Sequence, residues 1–137
     1  MAANELGSYP VLDLTFKNAT ASTIAANLAV LASTAPTGDT PGCVVLPTAS
    51  GGVVGTIGVT VEAIPAGGTG RVRVYGVIPC TANGTVTFGE HVQVSDTTSK
   101  LGWVKTCGAA TQQLGKALDT ATNGQQVRVL LMMAANA

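Results

Sequence analysis

Glycine and proline interrupt this chain every few residues, and that spacing allows only short extended segments. The 137 residues include 17 glycines and 6 prolines, so no apolar stripe with the period of an α-helix continues for long. Apolar and polar residues alternate instead, and β-branched valine is the commonest large apolar residue. The pattern therefore predicts a mainly β protein with at most two short helices.

Four segments alternate clearly enough to be predicted as strands with one buried face. They are residues 11–17, 71–75, 91–95 and 126–130. In the first of them, Leu12, Leu14 and Phe16 would lie near one face of the strand. Asn-Gly dipeptides at residues 83–84 and 123–124 are typical of tight turns between such strands.

One segment, residues 21–33, also fits a helix, because Ile24, Leu28 and Leu31 would then share a face. An internal comparison argues against the helix. Residues 23–30 align with residues 87–94, where a glycine and an alternating pattern indicate a turn that leads into a strand. We therefore expect a turn and a strand in the first segment as well.

The internal similarity continues and predicts two copies of one small β unit. Residues 57–67 align with residues 114–124, and Arg73-Val74 aligns with Arg128-Val129. The copies would span about residues 20–76 and 84–131. A unit of this size cannot bury a face alone, so we expect the two to close into one compact small β-barrel or sandwich. Chance similarity between segments rich in Ala, Gly and Thr is the alternative.

Residues 1–12 precede both copies and are predicted to form a flexible N-terminal arm, followed by a single β domain over residues 13–137. A disordered tail with no role is the alternative. Proline favours an extended backbone in the residue before it, and an extended arm can add a strand to the sheet edge of a partner protein. The predicted partner contacts are Leu6, Tyr9, Pro10 and Val11.

Charged residues are few and balanced, with seven Lys and Arg against seven Asp and Glu. The scattered basic residues form no stripe of the kind that binds nucleic acid. No apolar run approaches the roughly 18 residues that a membrane-spanning helix needs. A neutral surface favours association with other proteins.

No pattern in the sequence is typical of a catalytic, cofactor or metal site. His91 is the one histidine, and no recognisable nucleophile motif accompanies it. The glycine-rich segments at residues 51–55 and 67–70 lack the lysine of a phosphate-binding loop and lead into strands. We therefore expect no enzymatic activity, no cofactor, no metal and no small-molecule substrate.

The three cysteines stand far apart in the sequence and form no Cys-x-x-Cys pair. A disulfide framework is usually dense and built from an even number of cysteines. We therefore expect Cys43, Cys80 and Cys107 to be reduced, buried, small apolar residues, as in a protein made in a reducing cytoplasm.

Residues 42–131 resemble the head decoration, or capsid cement, proteins of tailed bacteriophages. The resemblance rests on three segments in order: RVRVYGVIPC at 71–80, GEHVQVSDTTSKLGWV at 89–104 and LGKALDTATNGQQVRVLL at 114–131. It implies a compact β-barrel or β-clip-like body with a flexible N-terminal arm. A longer N-terminal half and Cys80 after Pro79 depart from the family pattern and leave the N-terminal contacts open.

The resemblance implies a structural virion protein that binds the outer surface of the phage head and stabilises contacts between major capsid proteins. Such proteins are commonly homotrimers, and this one would be assembled in the host cytoplasm. The N-terminal arm is then the segment expected to reach the capsid.

Two other classes of function stay open. Aromatic-lined grooves would favour another virion or tail β-module, or an adhesin-like binding domain. A cluster around one cleft would favour a small trimeric β-fold hydrolase, and its candidate members are Glu62, His91, Asp96 and Asp119.

Overall fold

The fold is almost entirely β, as the alternation predicted. The computed structural model describes residues 10–34, 38, 41–47, 55–95, 97–107 and 113–131. These residues contain nine strands and one short 3-10 helix, Thr98–Lys100. The strands are β1 (Leu12–Asn18), β2 (Ala29–Thr34), β3 (Cys43–Val45), β4 (Thr56–Thr60), β5 (Thr69–Thr81), β6 (His91–Val94), β7 (Val104–Thr106), β8 (Gly115–Ala117) and β9 (Gln126–Leu131).

The segment that also fitted a helix is a turn that leads into a strand. Ile24 forms an isolated bridge, a turn follows at residues 26–27, and β2 begins at Ala29. Asn27 has a φ of 65°, a left-handed conformation that ends any helical path. In the described part of the chain, no helix is long and apolar enough to cross a membrane.

The strands form one continuous sheet that closes on itself. Its order is β1-β3-β2-β4-β5-β9-β8-β6-β7, and β1 also pairs with β5. The first five strands therefore form a closed barrel, which confirms the compact small β-barrel. The 13-residue β5 continues beyond this barrel, and its C-terminal half pairs with β9.

The strand pairings of the first barrel recur in the rest of the sheet. The antiparallel pairs β2–β3, β2–β4 and β4–β5 correspond to β6–β7, β6–β8 and β8–β9. The pairing of β1 with β5 corresponds to that of β5 with β9. The parallel pairing of β1 with β3 corresponds to a parallel bridge between Ala82 and Val104. We call residues 12–75 the first unit and residues 76–131 the second unit.

In the described part of each unit, two segments that lie outside the named strands meet at one isolated antiparallel bridge. Ile24 bridges Ile64 in the first unit, and Val86 bridges Ala121 in the second. The predicted alignment of residues 57–67 with 114–124 is confirmed here, because it pairs Ile64 with Ala121. The alignment of residues 23–30 with 87–94 is wrong by two residues, since it pairs Ile24 with a residue of the turn, Phe88, instead of Val86.

The predicted match of Arg73 with Arg128 is also displaced by two residues. The backbone N–H of Arg71 donates to Glu62 Oε2 at 3.0 Å, and that of Arg128 donates to Asp119 Oδ2 at 3.1 Å. Each pair is nine residues apart, so Arg71 is the counterpart of Arg128. The aligned segments consist of short, similar side chains, so the sequence alone specifies weakly which residues of the two units correspond. Both alignments are displaced by two residues for this reason.

Among the described residues, two clusters of buried side chains fill the two units, and they differ in which units contribute to them. The first cluster draws on the first unit alone and comprises Phe16, Ile24, Val30, Val44, Ile64 and Val72. The second cluster fills the second unit and also includes Ala29 and Val59 of the first. Since neighbouring residues in a strand point to opposite faces, Ala29 faces away from the first cluster to which Val30 belongs. The outer face of the first unit therefore packs on the second unit.

Candidate interaction surface

The residues predicted to contact a partner lie immediately before β1. Leu6 and Tyr9 fall outside the described residues, while Pro10 and Val11 are described and exposed. Both lie against Gly76 in the middle of β5, where a Cβ atom would be 2.7 Å from Val11 Cγ1 and 2.9 Å from Pro10 O. Gly76 also has a φ of 109°, which side chains rarely allow. This glycine lets the chain that enters β1 pack closely on β5.

Four large apolar side chains lie exposed where β1 and β5 meet. Val11, Leu12, Leu14 and Tyr75 are 42% to 52% exposed, and we call this group the apolar end. Leu12 is directly opposite Tyr75 in the sheet, and Leu14 follows two residues along β1. Contiguous exposed apolar patches mark interaction surfaces in soluble proteins.

Sequence reasoning identified only Val11 in this group as a contact residue. It placed Leu12 and Leu14 on one face with Phe16, and Phe16 is indeed buried at 9% exposure. Alternation along a strand identifies which residues share a face, but it does not show how far along the strand that face is buried by other residues. Tyr75 carried no separate signal, because aromatic residues are common in strands.

A partly buried ion pair between Asp13 of β1 and Arg73 of β5 lies beside the apolar end. Arg73 Nε donates to Asp13 Oδ1 at 2.8 Å, and Arg73 Nη2 donates to Asp13 Oδ2 at 3.1 Å. Arg71 Nη1 lies 4.0 Å from the same carboxylate. The hydrogen bonds from Arg73 lower the pKa of Asp13 below its ordinary value. Both charges of the pair are thus satisfied within the chain.

The edge of β1 next to the apolar end is open in the described part of the chain. There β1 pairs with β3 only at Lys17 and Asn18, while its other edge pairs with β5 from Leu12 to Lys17. Residues 12–16 therefore present one row of main-chain groups without a neighbouring strand among the described residues. An open edge of this kind is a template on which another strand can pair.

The residues of the hydrolase hypothesis have other partners. Glu62 binds Arg71 and Asp119 binds Arg128, and hydrogen bonds from these arginines lower the pKa of each carboxyl. His91 lies exposed at the start of β6. Asp96 is outside the described residues. Glu62 and Asp119 thus lie in different units, each in its own ion pair.

None of the three cysteines, all of them described, forms a disulfide, as the sequence predicted, but they differ in burial. Cys80 is fully buried, which raises the pKa of its thiol to about 12. Cys43 and Cys107 are only half-buried, so the prediction that all three are buried is wrong for these two. Cys43 is the first residue of the short strand β3, and Cys107 directly follows the last residue of the short strand β7. Both cysteines therefore lie at strand ends, where the sheet is less buried. Among the described residues, no three His, Cys, Asp or Glu side chains are grouped so as to hold a metal ion.

Comparison with known proteins gives this surface a context. Among solved structures, the chain is similar to the head fiber gp8.5 N base of bacteriophage phi29, with a TM-score of 0.61 and 16% sequence identity. The match covers 92% of this chain and 98% of that chain, and at this identity it shows a shared fold. The comparison with curated proteins returns no significant match. The family of phage cement proteins matches residues 11–133, from Val11 of the apolar end to beyond β9. The chain therefore belongs to the phage cement protein family.

Proposed function

We propose that this capsid decoration protein binds the outer surface of a phage head and stabilises contacts between neighbouring major capsid proteins. The observation that carries the proposal is the family match over residues 11–133, which includes both units. Membership of the family gives the chain a structural role on the virion capsid. The major capsid protein as partner, and assembly in the host cytoplasm, are part of the proposal.

The proposed binding state is a homotrimer. Its support is the neutral composition, with seven basic and seven acidic residues in 137, which favours association. The exposed Leu12, Leu14 and Tyr75 add an apolar surface that a closed cyclic assembly would cover. A trimer also gives three attachment points on one shell, and linked attachments raise the overall affinity without any new type of contact.

The N-terminal arm, residues 1–12, is the proposed attachment to the shell, and residues 13–137 are the proposed body. Leu6, Tyr9, Pro10 and Val11 would supply its contacts. The exposure of Pro10 and Val11 supports this assignment, since both directly precede β1 and its open edge. Pairing of main-chain groups would give affinity, and the apolar side chains would give specificity.

We also propose that the protein has no enzymatic activity. The membership of a structural phage family supports this. The engagement of Glu62 and Asp119 by arginines supports it as well, because a carboxylate held in an ion pair with a lowered pKa is a poor general acid.

Rebinding to shells tests the proposal. Purified full-length chain is mixed with phage heads that lack it, and the heads are then sedimented. We expect saturable co-sedimentation and heads that withstand a higher temperature, because a ligand that binds only the assembled shell stabilises it. Heads from an unrelated phage serve as the control surface. A chain that stays in the supernatant with its own heads would contradict the proposal.

A further inference from the structure

The two units allow a position-by-position comparison of what covers each barrel. Leu14 pairs with Val72 on β5, and Ile78 pairs with Val129 on β9, so Leu14 and Ile78 are counterparts. Leu14 is 42% exposed, whereas Ile78 is 2% exposed. Both residues are large and aliphatic. The difference is therefore in what lies over them and not in their chemistry.

Other positions at the same end of the barrel repeat the difference. Ala32 pairs with Val44 and is exposed, whereas its counterpart Val94 pairs with Val104 and is buried. Val74 on β5 is half-buried, and the matching position on β9 is the fully buried Leu131. At the described positions compared, one end of the barrel is thus buried in the second unit and exposed or half-buried in the first.

The first unit supplies the cover of the second. Ala29 and Val59, a directly paired couple on β2 and β4, belong to the buried cluster of the second unit and are 0% exposed. The Ala29 N–H donates to Gly102 O of the second unit at 2.8 Å. A Cβ atom on Gly102 would lie 3.0 Å from Leu28 Cβ, so the contact is close. The small aliphatic side chains of Ala29 and Val59, on the paired strands β2 and β4, therefore bury this end of the second unit.

The second unit does not offer the same face to another copy. The couple that corresponds to Ala29 and Val59 is His91 and Lys116, which pair on β6 and β8 and are both exposed. Burying an unpaired ammonium group against aliphatic side chains carries a large desolvation cost. A head-to-tail repeat of the contact within the chain is therefore disfavoured. Such a repeat could also run on into an open filament.

We propose that Leu12, Leu14 and Tyr75, the part of the apolar end that lies on β1 and β5, are the self-association surface of this protein, covered by the same residues of further copies. This inference rests on the proposed homotrimer and identifies the surface that forms it. Interfaces between identical subunits are more apolar than transient ones. Around a symmetry axis, the same patch of each copy can meet near the axis, apolar against apolar.

The mass of the full-length chain in solution tests the inference. Sedimentation equilibrium over a range of micromolar concentrations is compared for the wild type and a double variant, Leu12→Ser with Leu14→Ser. Phe88→Ser is the matched control, because Phe88 is exposed but lies in a turn of the second unit. We expect wild type and control to form a closed oligomer. The double variant should have the 13.6 kDa mass of a monomer, or dissociate at a concentration more than about tenfold higher.

Circular dichroism shows whether the double variant keeps its fold. If it does not, Tyr75→Gln alone replaces it, since Tyr75 is exposed and lies on the other strand of the surface. A wild type that is monomeric throughout would overturn the inference. So would a folded variant with an oligomer as stable as that of the wild type.

Binding to phage heads, measured on the same proteins, separates this inference from the proposed function. A wild-type oligomer that does not bind heads would leave the inference standing and contradict the function. A wild-type monomer that binds heads, with binding lost in the double variant, would show that the apolar end faces the shell. That result would overturn self-association and leave the function intact.

Discussion

Arg73 holds both carboxylate oxygens of Asp13, at 2.8 Å and 3.1 Å, and so ties β5 to β1 at the place where the two units join. Arg73 Nη1 also donates to the carbonyl of Val77 at 2.9 Å, in the part of β5 that belongs to the second unit. One guanidinium thus connects the open strand of the first unit to the start of the second. The side chains of Arg73 and Asp13 are only 20% and 15% exposed.

This ion pair predicts a loss of stability in acid. The pKa of Asp13 is lower in the folded protein than its ordinary value of 3.8, so the unfolded chain binds more protons than the folded one. The stabilising contribution is therefore complete above about pH 5 and is lost as the pH falls through the folded pKa. Chemical denaturation at a series of pH values measures it.

Asp13→Asn is the variant that assigns this pH dependence to the pair. It should have a lower free energy of unfolding at pH 7 and a smaller further loss between about pH 5 and pH 2. Asp119→Asn is the control, because Asp119 pairs with the exposed Arg128 and exposed pairs contribute little. An unchanged pH profile in Asp13→Asn would show that the pair does not stabilise the fold.

Removal of residues 1–9 should abolish binding to phage heads and leave the melting temperature unchanged. This deletion stops short of Pro10 and Val11, which pack on Gly76, and of Leu12, which begins β1. Removal of residues 1–12 should lower the melting temperature as well, because it takes away those contacts. The measurements are co-sedimentation with heads and thermal unfolding. If the shorter deletion binds heads as the wild type does, the arm is not the attachment.

Replacement of His91 and Lys116, the exposed polar couple on the second unit, should turn a closed assembly into an open one. In the double variant His91→Ala with Lys116→Val, the second unit acquires the side chains that Ala29 and Val59 provide in the first. It could then cover the apolar end of another copy head to tail. Sedimentation and electron microscopy should show assemblies that lengthen with concentration. Gln126→Val, also exposed on a strand, is the control, and a double variant with the wild-type mass would contradict the prediction.

Two glycines in counterpart positions should be equally intolerant of alanine. A Cβ atom on Gly58 would collide with the carbonyl of Arg73, and one on Gly115 with the carbonyl of Leu130. Since backbone cannot yield as a side-chain tip does, we expect each alanine variant to lose about 1–3 kcal/mol of stability. Gly68→Ala is the control, because its contacts, to Pro65, begin at 3.3 Å. Equal stability of all three variants, measured by denaturant unfolding, would disprove the close approach.

Much of the local structure was predictable from the sequence because it depends on neighbouring residues. Alternation identified strands such as β9, and the Asn-Gly pairs have the positive φ at Gly84 and Gly124 that turns require. The match of residues 57–67 with 114–124 was predictable because Gly67 and Gly124 mark equivalent turns. The correct match of residues 23–30 was not predictable from the sequence. The residue with a positive φ is Asn27 in the first unit, whereas its counterpart in the second unit is Gly89, so no shared glycine marks the equivalent turns.

The sequence by itself determined the β class, the turns, the scarcity of charge and the family resemblance, because residue types and their period carry all four. Only the tertiary structure decided that β5 serves both units and that the cover of the barrel end differs between them. Leu14 and Ile78 look alike in sequence, yet one is exposed and the other is buried. The physical reason is that burial depends on residues distant in the chain, here Ala29 and Val59 over the second unit, and no local period records them.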